Sequence, residues 1–223
     1  MNSLLVKTPG FVQRLYPKRL WAFPNEVNSV FLTFDDGPIP EVTPWVLETL
    51  AAYDAKATFF CIGRNVEKHP EIFDKIISEG HAIGNHSYSH LKGWQTSTSE
   101  YINDFEIAED IIQNQESFSE DMVKLFRPPY GKLTSTQAAS ILKKDYKIVM
   151  WDVLSYDYDQ KISEEKCLDN VKGNLESGSI VVFHDSLKAE KSLRFALPIL
   201  LDSIRNKGWM AKSIDNSLFP RDR

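Results

Sequence analysis

The residues of this chain that could do chemistry fall in five short blocks. Asp35-Asp36-Gly37-Pro38 follows the apolar run 30–34, and His86-Ser87-Tyr88-Ser89-His90 follows the run 81–84. Arg127-Pro128-Pro129-Tyr130-Gly131, Trp151-Asp152 with Asp157, and His184-Asp185 each follow a further run. Three of the five histidines sit in these blocks; His69 and His81 do not. Two imidazoles and a carboxylate are a common donor set for a catalytic divalent cation, with positions left for water and substrate. A spacing of four puts His86 and His90 on one face if the segment makes a helical turn. Taken alone, the spacing fits two exposed histidines as well. The glutamate of H-E-x-x-H is missing, so a base must come from elsewhere.

Asp35 and Asp36 are candidates for it. Adjacent side chains at a strand end point in different directions, so one can bind the cation while the other faces its water. A solvated Asp-Gly-Pro turn is the plainer alternative. Pro128 and Pro129 stiffen the loop that carries Arg127 and Tyr130. A fixed guanidinium there can keep a carboxylate ionised, although an ordinary structural ion pair would use it too. His184, with an unperturbed pKa of ~6.5, suits a general acid; a buried histidine bonded to backbone is its other reading.

The blocks need elements to position them. Apolar or β-branched runs at 30–34, 57–61, 81–84, 123–126, 147–151, 179–183 and 209–214 read as seven strands. Such near-continuous runs suit strands covered on both faces, as in parallel sheets. Helical spacing appears at 43–53, at 70–79 between Pro70 and Gly80, at 163–176 and at 192–207. Ser97-x-x-Glu100 and Thr134-x-x-Gln137 read as capping boxes that open two more helices. The alternation predicts an α/β fold: a single-domain incomplete (β/α)7 barrel, TIM-barrel-like, with a doubly wound open sheet as the alternative. In a barrel, the C-terminal strand ends build the active site, and every block stands at one. No G-x-G-x-x-G follows a strand, so a dinucleotide site has no support.

Composition sets outer bounds. The chain has 223 residues, 42% hydrophobic and 26% charged, an ordinary globular balance. We divide it into an N-terminal extension packed on the barrel (1–28), the barrel domain (29–216) and a C-terminal tail (217–223). With 26 Lys+Arg against 31 Asp+Glu the net charge is −5, and no basic stripe suggests a nucleic-acid partner. No run approaches the ~18 apolar residues of a membrane span. No apolar leader is visible either, so a cytoplasmic location is expected. Cys61 and Cys167 read as separate buried thiols. A monomer is expected.

These blocks, in this order, resemble the polysaccharide deacetylases, the NodB-like homology domain or carbohydrate esterase family 4. The resemblance rests on Thr33–Gly37, His86–His90, Arg127–Gly131, Trp151–Tyr158 and Val182–His184. It implies a metal-dependent hydrolase that removes N-acetyl groups from an amino-sugar glycan by means of a metal-activated water. Asp36, His86 and His90 would be the metal ligands, with Zn2+ first and Co2+ or another divalent ion as the alternative. Asp35 would be the general base and Arg127 the residue that orients it. The Tyr130 N–H would donate to the oxyanion, and His184 would protonate the leaving amine. Pro129, Tyr130, Trp151 and Tyr158 would contact the substrate.

Two positions depart from the family pattern. Its fourth block usually reads Asp-x-x-Asp-Trp; here it is Leu154-Ser155-Tyr156-Asp157-Tyr158. The Asp that would tune the catalytic histidine is Leu154, and either Asp157 or Asp152 is left to replace it. In the last block Val182 stands for Leu. The alternatives are an O-acetyl esterase or cyclic-amide hydrolase on the same scaffold, or a catalytically impaired relative that binds glycans.

Overall fold

The structure, a computed structural model, describes residues 5–219. Nine strands lie among them. They are β1 (Arg19–Leu20), β2 (Ser29–Asp35), β3 (Thr58–Cys61), β4 (Ala82–Asn85), β5 (Leu125–Phe126), β6 (Lys147–Val149), β7 (Val153–Leu154), β8 (Ile180–His184) and β9 (Met210–Ala211). The α-helices are α1 (Gly10–Leu15), α2 (Thr43–Ala51), α3 (Gly63–Lys68), α4 (Pro70–Ser78), α5 (Thr98–Gln113), α6 (Ser135–Leu142), α7 (Glu164–Lys172) and α8 (Glu190–Asn206). Local signals placed most of them. The Ser97 hydroxyl accepts from the Glu100 N–H at the start of α5. At α6, Thr134 and Gln137 form both halves of the capping box. Pro70 opens α4, and Gly80 follows it at φ 80°, a conformation that favours glycine.

All seven apolar runs form strands, and the strands of the main sheet pair in parallel in the order β1-β6-β5-β4-β3-β2-β8-β7, with β9 on β2. β2 and β8 lie side by side from Phe31 opposite Ile180 to Asp35 opposite His184. β6 and β7 stand near the two ends of this order, yet only residues 150–152 separate them in the chain, so the edges of the sheet come together and it curves into a barrel. The barrel is incomplete at one seam, at the end of the predicted strand 147–151, where β6 stops at Val149 and β7 begins at Val153. β6 pairs with β5 and β1, whereas β7 pairs with β8. Between them the backbone changes partners: the Met150 N–H donates to Leu20 O (2.7 Å) and the Asp152 N–H to Ile180 O (3.2 Å). β1 and β7 have two residues each and no apolar run, so sequence reasoning passed over them. It also passed over α1, which buries no residue, and the six-residue α3.

The period of two along β2 sorts the core. Leu32 and Phe34 join the cluster beneath the helices. Phe31 belongs to the cluster with Phe60, Leu125, Val149 and Ile180. Thr33 and Asp35 continue the Phe31 face, and both are buried. The inner face of β2 therefore changes from apolar to polar toward its C-terminal end. Fully burying each such Phe contributes ~1.5–3 kcal/mol. Cys61 and Cys167 are buried free thiols, and no described helix is long and apolar enough to cross a membrane.

Candidate active site

Arg127 organises the polar end of the barrel. It is fully buried, and every part of its guanidinium has a partner. Nη1 donates to Thr33 Oγ1 and Asp35 Oδ1, both at 2.7 Å; Nη2 donates to Met150 O (3.0 Å) and Nε to Val149 O (3.3 Å). The Phe60 ring lies 4.1 Å from its Cζ. Burial pushes the Asp35 carboxyl up, but the Arg127 charge and the nearby His86 outweigh it, and the net shift is downward. Asp35 is held ionised.

Asp36 leaves the strand at φ 82°, which turns its carboxylate away from that of Asp35. Two contacts set this turn: Asn65 Nδ2 donates to Asp36 O (2.7 Å) and Asp185 Oδ1 accepts the Gly37 N–H (3.0 Å). A Cβ at Gly37 would lie 2.0 Å from Asp185 Oδ2, so only glycine fits. Asp185 also accepts from the Thr43 hydroxyl at 2.5 Å, and burial pushes its carboxyl up to about 8.

His86 and His90 converge on Asp36 without the helical turn that the spacing suggested. The segment is a loop with Ser87 at φ 62° and His90 at φ 60°. Asp104 of α5 holds this loop by accepting from the Tyr88 and Ser89 N–H groups and the Ser89 hydroxyl. No local signal marked Asp104 for this task. His86 Nδ1 lies 2.7 Å from Arg127 O; a carbonyl only accepts, so the proton is on Nδ1 and the Nε2 lone pair is free. Asp36 Oδ1 lies 3.7 Å from His86 Nε2 and 3.4 Å from His90 Nε2. It is buried and has no hydrogen-bond partner. Burial, with the His86 neighbour, lowers the His90 pKa to about 4, so this ring is neutral near pH 7. An orphaned carboxylate oxygen facing two ring nitrogens, all within 4.8 Å of one another, fits a divalent cation.

His184 stands at the end of β8, beside Asp35 in register. Asp157 pins it twice: Oδ1 accepts from Nδ1 (2.8 Å) and Oδ2 from the backbone N–H (2.7 Å). Burial would lower the His184 pKa, but Asp157, with smaller contributions from Asp36 and Asp35, raises it to about 9. Asp157 thus fills the place that Leu154 cannot. Asp152 does not reach His184; it binds Lys7, Ser179 and the Ile180 N–H at the other end of β8.

These groups line a cavity of about 500 Å³. Asp35, Asp36, His86, His90, Tyr130, Trp151, Tyr158 and His184 reach it, together with Leu154, Val182, Ser186 and Lys188. Pro129, expected to contact substrate, is buried and does not line the cavity. It sets the turn that places Tyr130 at φ 58° against His90, ring centroids 4.6 Å apart. The bonds that close this turn come from the Gly131 and Lys132 N–H groups, not from that of Tyr130. Tyr158 packs edge-on against His184 at 4.9 Å.

A family profile described as polysaccharide deacetylase matches residues 24–149. Two peptidoglycan-N-acetylglucosamine deacetylases of Bacillus cereus are similar to this chain. One is 37% identical over 76% of this chain and 61% of its own length; the other is 33% identical over 89% and 92%. A crystal structure of the Bc1960 peptidoglycan N-acetylglucosamine deacetylase, in complex with 4-naphthalen-1-yl-N-oxidanyl-benzamide, superposes with a TM-score of 0.85 at 32% identity. That match covers 97% of this chain and all of the other.

Proposed function

The chain belongs to the polysaccharide deacetylase family, and from this premise we propose that it removes N-acetyl groups from an amino-sugar glycan in a cation-dependent hydrolysis. The observation that carries the reading is a single cavity that holds the Asp36-His86-His90 donor set, the Asp35–Arg127 pair and the His184–Asp157 pair. Asp36, His86 and His90 would hold the cation, and two nitrogens with one oxygen suit Zn2+ or Co2+. Such an ion supplies Lewis acidity, which makes water more acidic and the acetamido carbonyl more electrophilic.

The chain's own groups do the rest. Asp35 Oδ2 takes the proton of the attacking water, while Arg127 fixes Oδ1 and keeps the pair ionised before reaction. The Tyr130 N–H faces the developing oxyanion, a kind of contact that contributes ~10²–10³ in rate. His184, its Nδ1 bound to Asp157, presents Nε2 and gives a proton to the departing amine. Water and amide are consumed; acetate and a free amino sugar are formed. Tyr130, Trp151 and Tyr158 offer apolar faces to sugar rings. Leu154 is the reason to consider an impaired relative, and the twofold contact between Asp157 and His184 speaks against it.

Acetate release from N-acetylglucosamine oligomers is the direct test. It should vanish with a chelator and return with Zn2+ or Co2+. Release that ignores the chelator, or that occurs only from acetyl xylan, would overturn the reading.

The Asp157–His184 pair makes a separate prediction. His184 acts protonated, so activity should persist with rising pH until it loses its proton. Its pKa of about 9 includes contributions from Asp36 and Asp35; a cation at Asp36 offsets these and brings the limb lower. Asp157→Asn keeps the shape and removes the charge. The alkaline limb of kcat/KM should move to lower pH, and kcat should fall ~10²-fold. An unmoved limb would assign the proton to another group.

A further inference from the structure

One face of the barrel takes no part in the chemistry of the catalytic cavity. The stretch Arg14-Leu15-Tyr16-Pro17-Lys18-Arg19 joins α1 to β1 and groups three cations, in a chain of net charge −5. Phe11 and Leu15 of α1 stand one turn apart and so on one face. They are 63% and 68% exposed, and Tyr16 beside them is 43% exposed. Large apolar side chains grouped at a surface mark a contact. A cavity of about 320 Å³ opens next to this stretch, and Lys18, Arg19 and Lys147 line it with Tyr146 and Phe219. Arg19 is half-buried; its Cζ lies 4.1 Å from the Tyr16 ring, and burial lowers its pKa. Lys147 Nζ lies 5.7 Å from the Phe219 ring. Among the described residues, none of Arg14, Lys18, Arg19 and Lys147 is in an ion pair. Asp145, the carboxylate on the cavity wall, is exposed. A cation drawn partly out of water without a carboxylate partner is stabilised by an anion that enters from outside.

The place of this face in the fold matters as much as its composition. β1 and β6 run parallel, with Arg19 opposite Ile148. Lys147 begins β6, and Trp151, which lines the catalytic cavity, follows its end. The two cavities therefore open at opposite ends of β6, and a broad surface bound at one leaves the other free. We propose that this face docks on an anionic lipid surface. Phe11 and Leu15 enter the boundary between headgroups and acyl chains, Tyr16 lies at the level of the headgroups, and Arg14, Lys18, Arg19 and Lys147 receive lipid phosphates. Exposed apolar side chains ringed by basic ones are the composition that holds a chain on such a surface. The basic cavity alone would suit a free phosphate; the apolar face beside it calls for an anion carried on an apolar body. Each basic residue near an anionic surface strengthens binding about fivefold, and salt screens the attraction.

The test is flotation of the full chain with vesicles of phosphatidylglycerol and phosphatidylcholine in equal parts, against vesicles of phosphatidylcholine alone. At low salt the chain should partition onto the anionic vesicles at least about tenfold more strongly, and raised salt should shrink the difference. The quadruple variant Arg14→Gln, Lys18→Gln, Arg19→Gln, Lys147→Gln should lose the preference. Arg14→Lys with Arg19→Lys should keep it. The pair Lys18→Gln, Lys147→Gln, whose side chains are exposed, should lose about tenfold with the Tm unchanged, which separates lost binding from lost folding. Phe11→Ser with Leu15→Ser should weaken binding to the anionic vesicles about tenfold. Inorganic phosphate at the concentration of the lipid phosphate should not compete. Equal binding to the two kinds of vesicle, binding to neither, or a preference that survives the quadruple variant would overturn the proposal. Competition by inorganic phosphate would overturn it in favour of a free anion. A dimer in solution that the serine variant dissociates would overturn it in favour of a second copy of the chain.

Discussion

Asp35→Asn should reduce kcat by ~10³-fold and leave cation binding in place. The amide cannot take a proton at the position of Oδ2, so the attacking water loses its base. Its oxygen can still accept from Arg127 Nη1, the bond that is 2.7 Å long in the native chain. Asp36, His86 and His90, the three groups of the cation site, are unchanged. The variant loses the charge that compensates Arg127, so some stability is lost as well. Thermal melting with and without added Zn2+ separates the two effects: a cation-induced rise in Tm shows a folded, cation-binding protein. Loss of turnover together with that rise is the expected pair of results. Turnover within tenfold of the native chain would remove Asp35 from the reaction.

Arg127→Met should be the most damaging single change to stability. Met has a similar length, but it leaves Asp35 as a buried anion without its partner. It also leaves Thr33 Oγ1, Val149 O and Met150 O without the donors they now have. Removing one member of a buried pair typically costs ~3–5 kcal/mol, a large share of the ~5–15 kcal/mol that holds a domain folded. Urea melts of the variant should show an unfolding free energy lower by that amount, with the midpoint shifted down accordingly. With Arg127 gone, burial acts on Asp35 unopposed by it, so its pKa should rise and the acidic limb of the activity profile should move to higher pH. The double variant Asp35→Asn, Arg127→Met should be less damaged than the two single losses combined, because neither charge is stranded. Additive losses would mean that the two groups do not depend on each other.

Most of the fold was legible because its signals are short-range. Each apolar run became a strand, and the caps at Ser97 and Thr134 opened helices at the positions expected. The elements that were missed have two to six residues, too few for a periodic pattern to show. The seam between β6 and β7 was missed for another reason: the chain changes partners within residues 150–152, and the partners β1 and β8 that show it are remote in sequence.

The candidate site shows the same boundary. From sequence alone came the donor types, their order, and their place at strand ends. The identity of each partner needed the folded chain. Asp152 and Asp157 were equal candidates to hold His184 until the register put Val153 opposite Val181 and Leu154 opposite Val182. That register leaves Asp152 at the start of β8 and carries Asp157 past its end, where His184 stands. The pairing of Arg127 with Asp35 spans 92 residues, and no local pattern encodes such a distance. The approach of His86 and His90 depends on two left-handed residues and on Asp104, sixteen residues beyond Tyr88. Residue type and period determined which groups could act; strand register and barrel closure decided which of them meet.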